Sequence, residues 1–466
     1  MAHVPVPGTE LNDPDDLVGA IPGPVHDLLR TLWGAGHAAY IVGGGIRDAL
    51  LGRQTVDWDL ATSALPEASA ALFDDAAYEN RFGTVGVRRG GHDYQITTFR
   101  TDHDYADFRR PHRVEFGSSL DADLARRDFT MNAIAWGAPD ATVAPMLVDP
   151  HGGRQDINAG VIRAVGEPDR RFEEDALRML RAVRFATTLR FEIEPQTLAA
   201  IRRHAPLVAH LSGERIAVEL DRILAAPRPS VGLRLLESTG ILDQVSPDLA
   251  AQRGILQNKV PGEDLWDHTV RTVDAAANRP VVRLAALVHD MGKPATAADG
   301  HFYGHEVVGA ELAERFLDRL HAPRSTAERV VHLVRQHMFR YEPNWGDAAV
   351  RRFIAKVGPD AIEDLFALRE ADNEGSGVPR DAEALGELRS RIDAELAAGP
   401  ILDRSALAID GSDLMTELGL PAGPALGRIL GALFERVVEE PDLNDRPTLI
   451  LLARDLAARS APEPGR

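Results

Sequence analysis

The chain has 466 residues, no cysteine and a formal net charge of −19 at pH 7. This length predicts two to four domains, and the absence of cysteine excludes disulfide bonds and thiolate metal sites, as is usual in the reducing cytoplasm. The acidic balance by itself argues against a nucleic-acid partner, but the stretch from Arg163 to Glu237 carries 13 arginines against 11 acidic residues and permits a local basic surface.

The N-terminal sequence "MAHVPVPGTELNDPDD" has neither the basic start nor the apolar centre of a signal peptide. We expect residues 1–20 to form a flexible tail. No run of about 18 apolar residues occurs in the chain, so we expect no membrane-spanning helix, no membrane partner and a cytoplasmic location. The last residues, "SAPEPGR", are expected to fray.

Strands dominate the predicted elements up to about residue 165. "GPVHDLLRTLWG" has the spacing of an amphipathic helix, and it is followed by a glycine turn and the apolar strand "AYIV". "VDWDLAT" and "YQITTFR" have strand-like composition, and "TVGVRRGGHDYQITTF" predicts a hairpin closed at Gly90-Gly91. The polar, proline-containing segment from Arg100 to Gly117 predicts a mobile loop.

Helical periodicity replaces the strand pattern from "RRFEEDALRMLRAVRFATTL" onward. Proline and glycine interrupt this periodicity, but almost every later segment has apolar residues at helical spacing. The sequence therefore predicts an α/β head followed by a long all-α body.

Asp57 and Asp59 are candidate metal ligands. In a strand, residues i and i+2 point to the same face, so these two carboxylates repel each other unless a cation sits between them. Oxygen ligands of this kind suit Mg²⁺, which also binds substrate phosphates. The preceding "GGG" lets backbone N–H groups approach a phosphate, and Arg47 can add a forked contact. The alternative is a glycine turn followed by solvated surface acids, but the combination favours phosphoryl or nucleotidyl transfer.

The segment "GGGIRDALLGRQTVDWDLAT" resembles the signature of the class II tRNA nucleotidyltransferases, the family of CCA-adding enzymes and bacterial poly(A) polymerases. Further blocks resemble the family's other motifs in the expected order; they are "RRDFTMNAIAW", "DPHGGRQDI", "EEDALRMLRAVRF" and "DGSDLMTELGLPAGPALGRIL". The resemblance implies an α+β fold: a polymerase β-like nucleotidyltransferase head with a small mixed sheet, followed by an all-α body.

The resemblance also implies roles for individual residues. Asp57 and Asp59 would hold the catalytic metals. The nucleotide contacts would be Gly44, Arg47 and Arg127 at the triphosphate end and Asp175, Arg178, Arg181 and Arg184 around the base. One position departs from the pattern, because Gln95 stands where relatives often have a glutamate. A neutral amide cannot serve as a third metal carboxylate or as a base.

"EDALRMLRAVRF" suggests how a protein selects C and A without a template. On a continuous helix, Asp175 and Arg178 share a face. Asp accepts from the exocyclic amine of cytosine or adenine and Arg donates to the neighbouring ring nitrogen, whereas guanine and uracil are mispaired. Arg181 and Arg184 point elsewhere on an ideal helix. The alternative is an ion pair between Glu174 and Arg178 with only a structural role.

A second pattern resembles the HD phosphohydrolase superfamily. His268, the pair His289-Asp290 and Asp372 occur in the order of its metal ligands, and His305 and His337 are candidates to join them. The alternative is a scaffold whose histidines have only structural roles.

The motifs and the composition together predict five regions along the chain. We expect a flexible tail at 1–20, a nucleotidyltransferase head at 21–165, a helical base-selecting neck at 166–245, an HD domain at 246–395 and a C-terminal helical RNA-binding region at 396–466.

Taken together, the motifs predict an enzyme that adds C, C and A to the 3′ end of tRNA from CTP and ATP, with Mg²⁺ and release of pyrophosphate. A second divalent metal is expected in the HD domain, and no DNA partner is expected. One alternative is a poly(A) polymerase or a partial CC- or A-adding enzyme, which share these motifs. Two others are an HD phosphohydrolase with a regulatory head and a nonenzymatic RNA-binding protein, which the intact acidic pair disfavours.

Overall fold

The computed structural model describes residues 14–55, 57–80, 83–106, 110–117, 119–257, 260–377, 382–399 and 402–460. The chain forms two compact units, one of Met1–Ala251 with Phe316–Ala322 and one of Gln252–Arg315 with Pro323–Arg466. The predicted tail lies outside the described residues up to residue 13, and Pro14–Ala20 forms a helix. The final segment predicted to fray, from residue 461, also lies outside them.

Strands occur in the first unit, as predicted. They are β1 (Ala39–Val42), β2 (Asp59–Thr62), β3 (Ala76–Asn80), β4 (Thr84–Arg89), β5 (His92–Thr98), β6 (Arg100–Ala106), β7 (Arg110–Phe116), β8 (Ala135–Ala138), β9 (Met146–Val148), β10 (Val161–Ile162) and β11 (Glu192–Ile193). The main sheet has the order β3-β4-β5-β2-β1-β8-β9 in the described part of the chain. It is mixed, because β2 and β5 are parallel and the other neighbours are antiparallel.

Two hairpins test the predictions about turns. Gly90 and Gly91 both have positive φ, 57° and 82°, and join β4 to β5, so the predicted two-residue turn is confirmed. The segment from Arg100 to Gly117 was predicted to be a loop, and this is wrong for its described residues. β6 and β7 pair antiparallel from Arg100↔Phe116 to Ala106↔Arg110, which satisfies backbone groups that a loop would leave to water. Both strands are edge strands, so the proline in β7 is tolerated.

The first unit also contains helices, which lie between the strands and after them in chain order. They are α1 (Pro14–Ala20), α2 (Gly23–Gly34), α3 (Gly44–Leu50), α4 (Pro66–Ala71), α5 (Leu120–Ala125), α6 (Gly153–Ala159), α7 (Pro168–Glu174), α8 (Leu177–Leu189), α9 (Pro195–His204), α10 (Gly213–Leu224), α11 (Pro229–Ser238), α12 (Ile241–Val245) and α13 (Pro247–Ala250). The predicted amphipathic helix is confirmed as α2, which buries Leu28, Leu29 and Leu32. Helix α8 is packed against α10 and α11 and buries Leu180 and Val183.

The second unit is helical in its described residues. Its helices are α14 (Leu265–Ala275), α15 (Pro280–Val288), α16 (Lys293–Thr296), α17 (His305–Arg319), α18 (Arg324–Gln336), α19 (Asp347–Val357), α20 (Pro359–Gly375), α21 (Ala382–Ala397), α22 (Gly411–Leu418), α23 (Pro424–Glu439) and α24 (Arg446–Ser460). The end of α17 groups with the first unit. Short 3₁₀ helices occur in the two units at Thr130–Asn132, Ala205–His210, Arg404–Ala406 and Pro441–Leu443.

Burial explains the arrangement of the second unit. Helix α15 is almost entirely apolar and buried, and it packs against α14, α18 and α20. A capping box of Asp264 and Asp267 starts α14 by satisfying backbone N–H groups at its first turn. No helix in the described ranges is both long and apolar enough to cross a membrane. The expected combination of a mixed-sheet head and a helical body is therefore confirmed.

Candidate functional site

The glycine turn predicted to hold phosphate connects β1 to α3. Gly43 has φ +77°, and a Cβ added there would lie 2.9 Å from Nη1 of Arg127 and 4.0 Å from Oδ2 of Asp59. A Cβ at Gly44 would lie 3.5 Å from Nη2 of Arg47. Two arginines and a carboxylate thus meet at a turn that only glycine can form without strain. The structure thus brings the glycine turn together with Arg47, Arg127 and Asp59.

The acidic pair lies at the start of β2. Asp59 is the first residue of the strand and pairs with Val42 of β1, whereas Asp57 precedes the strand. The backbone N–H of Asp57 donates to Oγ1 of Thr55 at 3.3 Å. Burial raises the pKa of Asp59, and the charge of Asp57 raises that pKa further, while Arg127 lowers it. The two carboxylates are therefore close enough to repel, which is the condition that a divalent cation relieves.

Arg127 is held by an acid that sequence reasoning missed. Asp123 is 1% exposed and accepts hydrogen bonds from Nη2 of Arg127 at 3.2 Å and from Nη2 of Arg126 at 2.6 Å. Burial opposes ionisation of Asp123, but the two arginines outweigh it and lower its pKa. The spacing of Asp123 and Arg127, four residues apart at the end of α5, is the signal that could have revealed this pair.

Gln95 lies beside Asp59, on the neighbouring strand. The register between β2 and β5 pairs Leu60 with Ile96, which places the two preceding residues next to each other. A cavity of about 170 Å³ is lined by Asp59, Gln95, Asp123, Arg127 and neighbouring residues. The amide thus occupies a position beside the metal-binding candidate, where a carboxylate would add a third negative charge.

The base-selecting motif is not one helix, and this part of the geometric prediction is wrong. Helix α7 ends at Glu174, Asp175 is extended with φ −150° and ψ 105°, and α8 begins at Leu177. Asp175 causes the break with its own side chain, because Oδ1 accepts the backbone N–H of Leu177 at 3.0 Å. Its carboxylate also accepts from Arg215 at 2.8 and 3.1 Å. Asp175 and Arg178 are therefore related by a turn rather than by a helical face.

Each of the motif's arginines has its own acidic partner. Arg178 Nη1 donates to Glu174 Oε2 at 2.8 Å, and Arg181 Nε donates to Asp128 Oδ2 at 2.7 Å. Arg184 Nε donates to Glu219 at 2.5 Å. These separate partners agree with the expectation that the motif cannot direct all its residues at one base. The acidic partners Asp128 and Glu219, together with Arg215, were not identified from the sequence.

The second unit brings together all six residues of the predicted HD pattern. Three of them lie on helices α14, α17 and α20, and the other three directly follow helices α15 and α18. His268, His289 and Asp372 form one group of potential metal ligands, and Asp290, His305 and His337 form another. Within each group, one ligand atom from each residue lies within 4.8 Å of the others.

Asp290 connects the two groups. Its Oδ2 lies 3.4 Å from Nε2 of His268 and 3.1 Å from Nε2 of His289, and its Oδ1 lies 3.4 Å from Nε2 of His305. Burial disfavours the charged carboxylate, but His289 and Lys293 nevertheless hold its pKa well below the usual value. Burial also lowers the pKa of His337, to about 3, so its imidazole is neutral at pH 7.

Three of the histidines are oriented by the backbone. Nδ1 of His289, His305 and His337 lies 2.6–2.8 Å from the carbonyl oxygen three residues earlier in each case. When Nδ1 donates a hydrogen bond, the lone pair of the imidazole is on Nε2, and Nε2 is the atom that faces the cluster. The donor set of imidazole nitrogens and carboxylate oxygens suits a divalent transition metal.

A cavity of about 490 Å³ opens beside this cluster. Its lining includes Asp290, Lys293, Arg369 and Asp372, with Tyr303 exposed at the surface. Lys293 Nζ donates to Asp290 Oδ2 at 2.6 Å and to Gln257 Oε1 at 3.2 Å. Two cationic side chains thus lie beside this cluster of potential metal ligands, and cationic side chains of this kind bind phosphate groups in proteins.

Three family models match the chain. The "Poly A polymerase head domain" matches residues 39–163, and the "Probable RNA and SrmB- binding site of polymerase A" matches residues 190–253. A tRNA nucleotidyltransferase domain 2 matches residues 306–453. The first model thus covers the glycine turn and the acidic pair.

Relatives match over most of the chain. The CCA-adding enzyme of Geobacillus kaustophilus is 36% identical over 428 residues, which cover 90% of this chain and 93% of that enzyme. The CCA-adding enzyme of Levilactobacillus brevis is 35% identical over 431 residues, 92% of this chain and 96% of that enzyme. The crystal structure of the Bacillus stearothermophilus CCA-adding enzyme in complex with CTP superposes with a TM-score of 0.69 at 30% identity, covering 94% of this chain and 99% of that one.

Proposed function

Because this chain belongs to the CCA-adding enzymes, a family of tRNA nucleotidyltransferases, we propose that Asp57 and Asp59 carry its catalytic step. The reaction is the template-independent addition of C, C and A to the 3′ end of tRNA from CTP and ATP, with release of pyrophosphate. The observation that carries the proposal is the meeting of Asp59, Arg127 and the Gly43 turn at one point of the polymerase β-like head.

The acidic pair fits Mg²⁺. Its donors are carboxylate oxygens, and burial together with the charge of Asp57 raises the pKa of Asp59, which a bound cation would oppose. Mg²⁺ held by Asp57 and Asp59 would lower the pKa of the attacking 3′ hydroxyl and offset the charge that develops on the α-phosphate. Because Gln95 is neutral, the two aspartates provide the carboxylate ligands at this point of the sheet.

The residues around the turn orient the nucleotide. We assign the triphosphate to the N-terminus of α3, where Gly44 allows close approach and Arg47 and Arg127 flank the turn. Asp123 keeps the guanidinium of Arg127 in place, and Asp48 does the same for Arg47 at 2.9 Å. Held in this way, the arginines lose little conformational entropy when a phosphate binds.

The base is assigned to the turn between α7 and α8. Asp175 accepts from the exocyclic amine of C or A and Arg178 donates to the adjacent ring nitrogen, which leaves the carbonyl and N–H of U or G mispaired. Arg215 fixes the carboxylate of Asp175, and Glu174 fixes the guanidinium of Arg178. Arg181 and Arg184 contribute from α8 through their own ion pairs.

The test of this function is an extension assay on a tRNA transcript that lacks CCA. CTP alone should add two residues, CTP with ATP should complete CCA, and ATP alone should add nothing. Asp57→Ala and Asp59→Ala should abolish addition in folded protein. Asp93→Ala is the matched control, since Asp93 is an exposed acid of the same sheet that pairs with Arg88. Long poly(A) products, or activity of either aspartate variant, would contradict the proposal.

We further propose that the second unit contains an HD-type divalent-metal site with phosphohydrolase activity. The supporting observation is the convergence of His268, His289 and Asp372 beside Asp290, His305 and His337. In three of the histidines Nδ1 faces a backbone carbonyl and Nε2 faces the cluster. A divalent cation bound there would supply a Lewis acid and an activated water. Lys293 and Arg369, which line the adjacent cavity, would bind the phosphate of the substrate.

Metal binding and hydrolysis test this second activity. In an Asp59→Asn background, Mn²⁺ binding is measured by titration calorimetry, and phosphatase activity is measured with p-nitrophenyl phosphate. His337→Gln should weaken both. His332→Gln is the matched control, because His332 lies on the same helix, α18, but contacts the carbonyl of Val357. Equal Mn²⁺ binding by both variants would place the metal elsewhere, and metal binding without hydrolysis would show that the unit is a scaffold.

A further inference from the structure

A continuous row of four side chains joins the glycine turn to α8 within the first unit. Arg47 Nη1 donates to Asn132 Oδ1 at 2.6 Å, and Asn132 Nδ2 donates to Asp128 Oδ1 at 3.0 Å. Asp128 Oδ2 then accepts from Nε of Arg181 at 2.7 Å. The row starts at the residue assigned to the triphosphate and ends on the helix that carries Arg178.

The interior of this row is buried. Asn132 is 5% exposed and Asp128 is 9% exposed. The backbone N–H of Phe129 also donates a hydrogen bond to Oδ1 of Asp128, at 2.8 Å. Both carboxylate oxygens are therefore occupied by protein donors. In buried surroundings such bonds are strong, and breaking one leaves a costly unpaired polar group. The row is consequently a stiff connection.

Asn132 is suited to its place by having both a donor and an acceptor. Its oxygen faces an arginine, which can only donate, and its nitrogen faces a carboxylate, which can only accept. A flipped amide would oppose donor to donor and acceptor to acceptor. The backbone carbonyl of Asn132 also lies 3.5 Å from Nη1 of Arg127. One residue thus contacts both arginines that flank the glycine turn.

We propose that Asn132 and Asp128 are positioning residues that fix the distance between the triphosphate site and the base-selecting turn. Arg181 and Arg178 are three residues apart on α8, so an anchor at Arg181 also sets the position of Arg178. Arg47 is set from the other end of the same row. This inference rests on the proposed nucleotide contacts. In this inference Arg181 does not contact the base; it acts by binding Asp128, which fixes the position of α8.

The consequence is a coupling between phosphate binding and base choice. A nucleotide that seats its triphosphate on Arg47 finds Arg178 at a fixed distance, so a mispaired base cannot be accommodated by a shift of α8. Breaking a hydrogen bond of this row should therefore allow the enzyme to incorporate UMP from UTP. A row with only a structural role would change stability without changing the preference between nucleotides.

The experiment compares Asp128→Asn and Asn132→Asp with wild type. Asp128→Asn removes one acceptor oxygen and the charge opposite Arg181, whereas Asn132→Asp still accepts from Arg47 but places a second carboxylate against Asp128. The matched control is Asp156→Asn, because Asp156 is also buried, binds Thr130 of the same 3₁₀ helix at 2.6 Å and pairs with Arg163 outside the row. Should Asp128→Asn fail to fold, Arg181→Lys gives the same test with the buried carboxylate still paired.

The readouts are kcat and KM for CTP and UTP on tRNA ready for its first C, together with the thermal unfolding midpoint. We expect the CTP/UTP ratio of kcat/KM to fall about tenfold in both row variants, which corresponds to the loss of one buried hydrogen bond, with KM for CTP raised. The control should lose stability and keep the wild-type ratio. An unchanged ratio in folded row variants, or an equal change in the control, would overturn the inference. Failure of the proposed function itself would appear separately, as absence of CMP addition by wild type.

Discussion

Gly43→Ala is the substitution whose effect follows most directly from the structure. A Cβ at this position would lie 2.9 Å from Nη1 of Arg127, inside van der Waals contact, in a residue whose φ is +77° and ψ −135°. An L-residue in such a conformation costs about 1–3 kcal/mol. The added methyl group also pushes the Arg127 guanidinium away from Asp123, its partner at 3.2 Å. We therefore expect both lower stability and weaker nucleotide binding.

The expected loss of catalytic efficiency follows from the displacement of Arg127. A hydrogen bond to a charged group contributes about 1.5–3 kcal/mol, so kcat/KM for CTP should fall roughly tenfold to a hundredfold. The matched control is Gly36→Ala, because Gly36 also has a positive φ of +81° but has nothing within 4 Å of an added Cβ. Urea unfolding measures the strain in both variants, and CMP incorporation measures activity. Wild-type kcat/KM in folded Gly43→Ala, or the same loss in Gly36→Ala, would refute the reasoning.

Three further substitutions test the site. Asp59→Asn should abolish nucleotide addition but stabilise the metal-free protein at pH 7. Burial and the charge of Asp57 raise the pKa of Asp59 in the folded state, so the free energy of unfolding falls as rising pH ionises this carboxyl group, and asparagine avoids that loss. Thermal unfolding in EDTA should show this gain vanish below about pH 3, where the carboxyl group is protonated in folded and unfolded chains alike. Asp175→Ala should lower the CTP/UTP preference about tenfold to a hundredfold and, because Asp175 accepts the backbone N–H of Leu177 at the start of α8, cost about 0.5–1.5 kcal/mol of stability. An unchanged preference in active enzyme would place base choice elsewhere. Gln95→Glu should lower the Mg²⁺ concentration for half-maximal activity by adding a carboxylate beside Asp59, and an unchanged Mg²⁺ titration would contradict this.

The features predicted correctly from sequence are those fixed by local chemistry. The turn at Gly90-Gly91 requires positive φ at two successive residues, and adjacent glycines between strand-like segments are the direct signal for it. The meeting of the glycine turn and the acidic pair follows from the antiparallel pairing of two adjacent strands, β1 and β2. The structure also brings the six residues of the HD pattern close together, and the metal site that this pattern predicts stays a prediction.

The features missed depend on partners distant in sequence. The break between α7 and α8 is made by Asp175, whose carboxylate accepts from the backbone N–H of Leu177 and is held in place by Arg215, forty residues later. The acids that hold Arg181 and Arg184 are likewise 53 and 35 residues away. The sequence from Arg100 to Ala106 is mostly polar, so neither a hydrophobic alternation nor a glycine turn marks the strands of this hairpin.

The pairing of these arginines resolves the conflict between a net charge of −19 and a nucleic-acid substrate. Arg47, Arg127, Arg178 and Arg181 are paired with Asp48, Asp123, Glu174 and Asp128, so each cation at the proposed nucleotide site is matched by an acid within 3.2 Å. These ion pairs fix the direction of the remaining N–H donors of the arginines. They do not cancel the local positive charge, because Asp123 also pairs with Arg126 and Glu174 also pairs with Arg171. An acidic chain is compatible with nucleotide transfer on these terms, since arginines outnumber their acidic partners at the proposed nucleotide site, and we propose that Mg²⁺ at Asp57 and Asp59 adds to the charge that opposes the triphosphate.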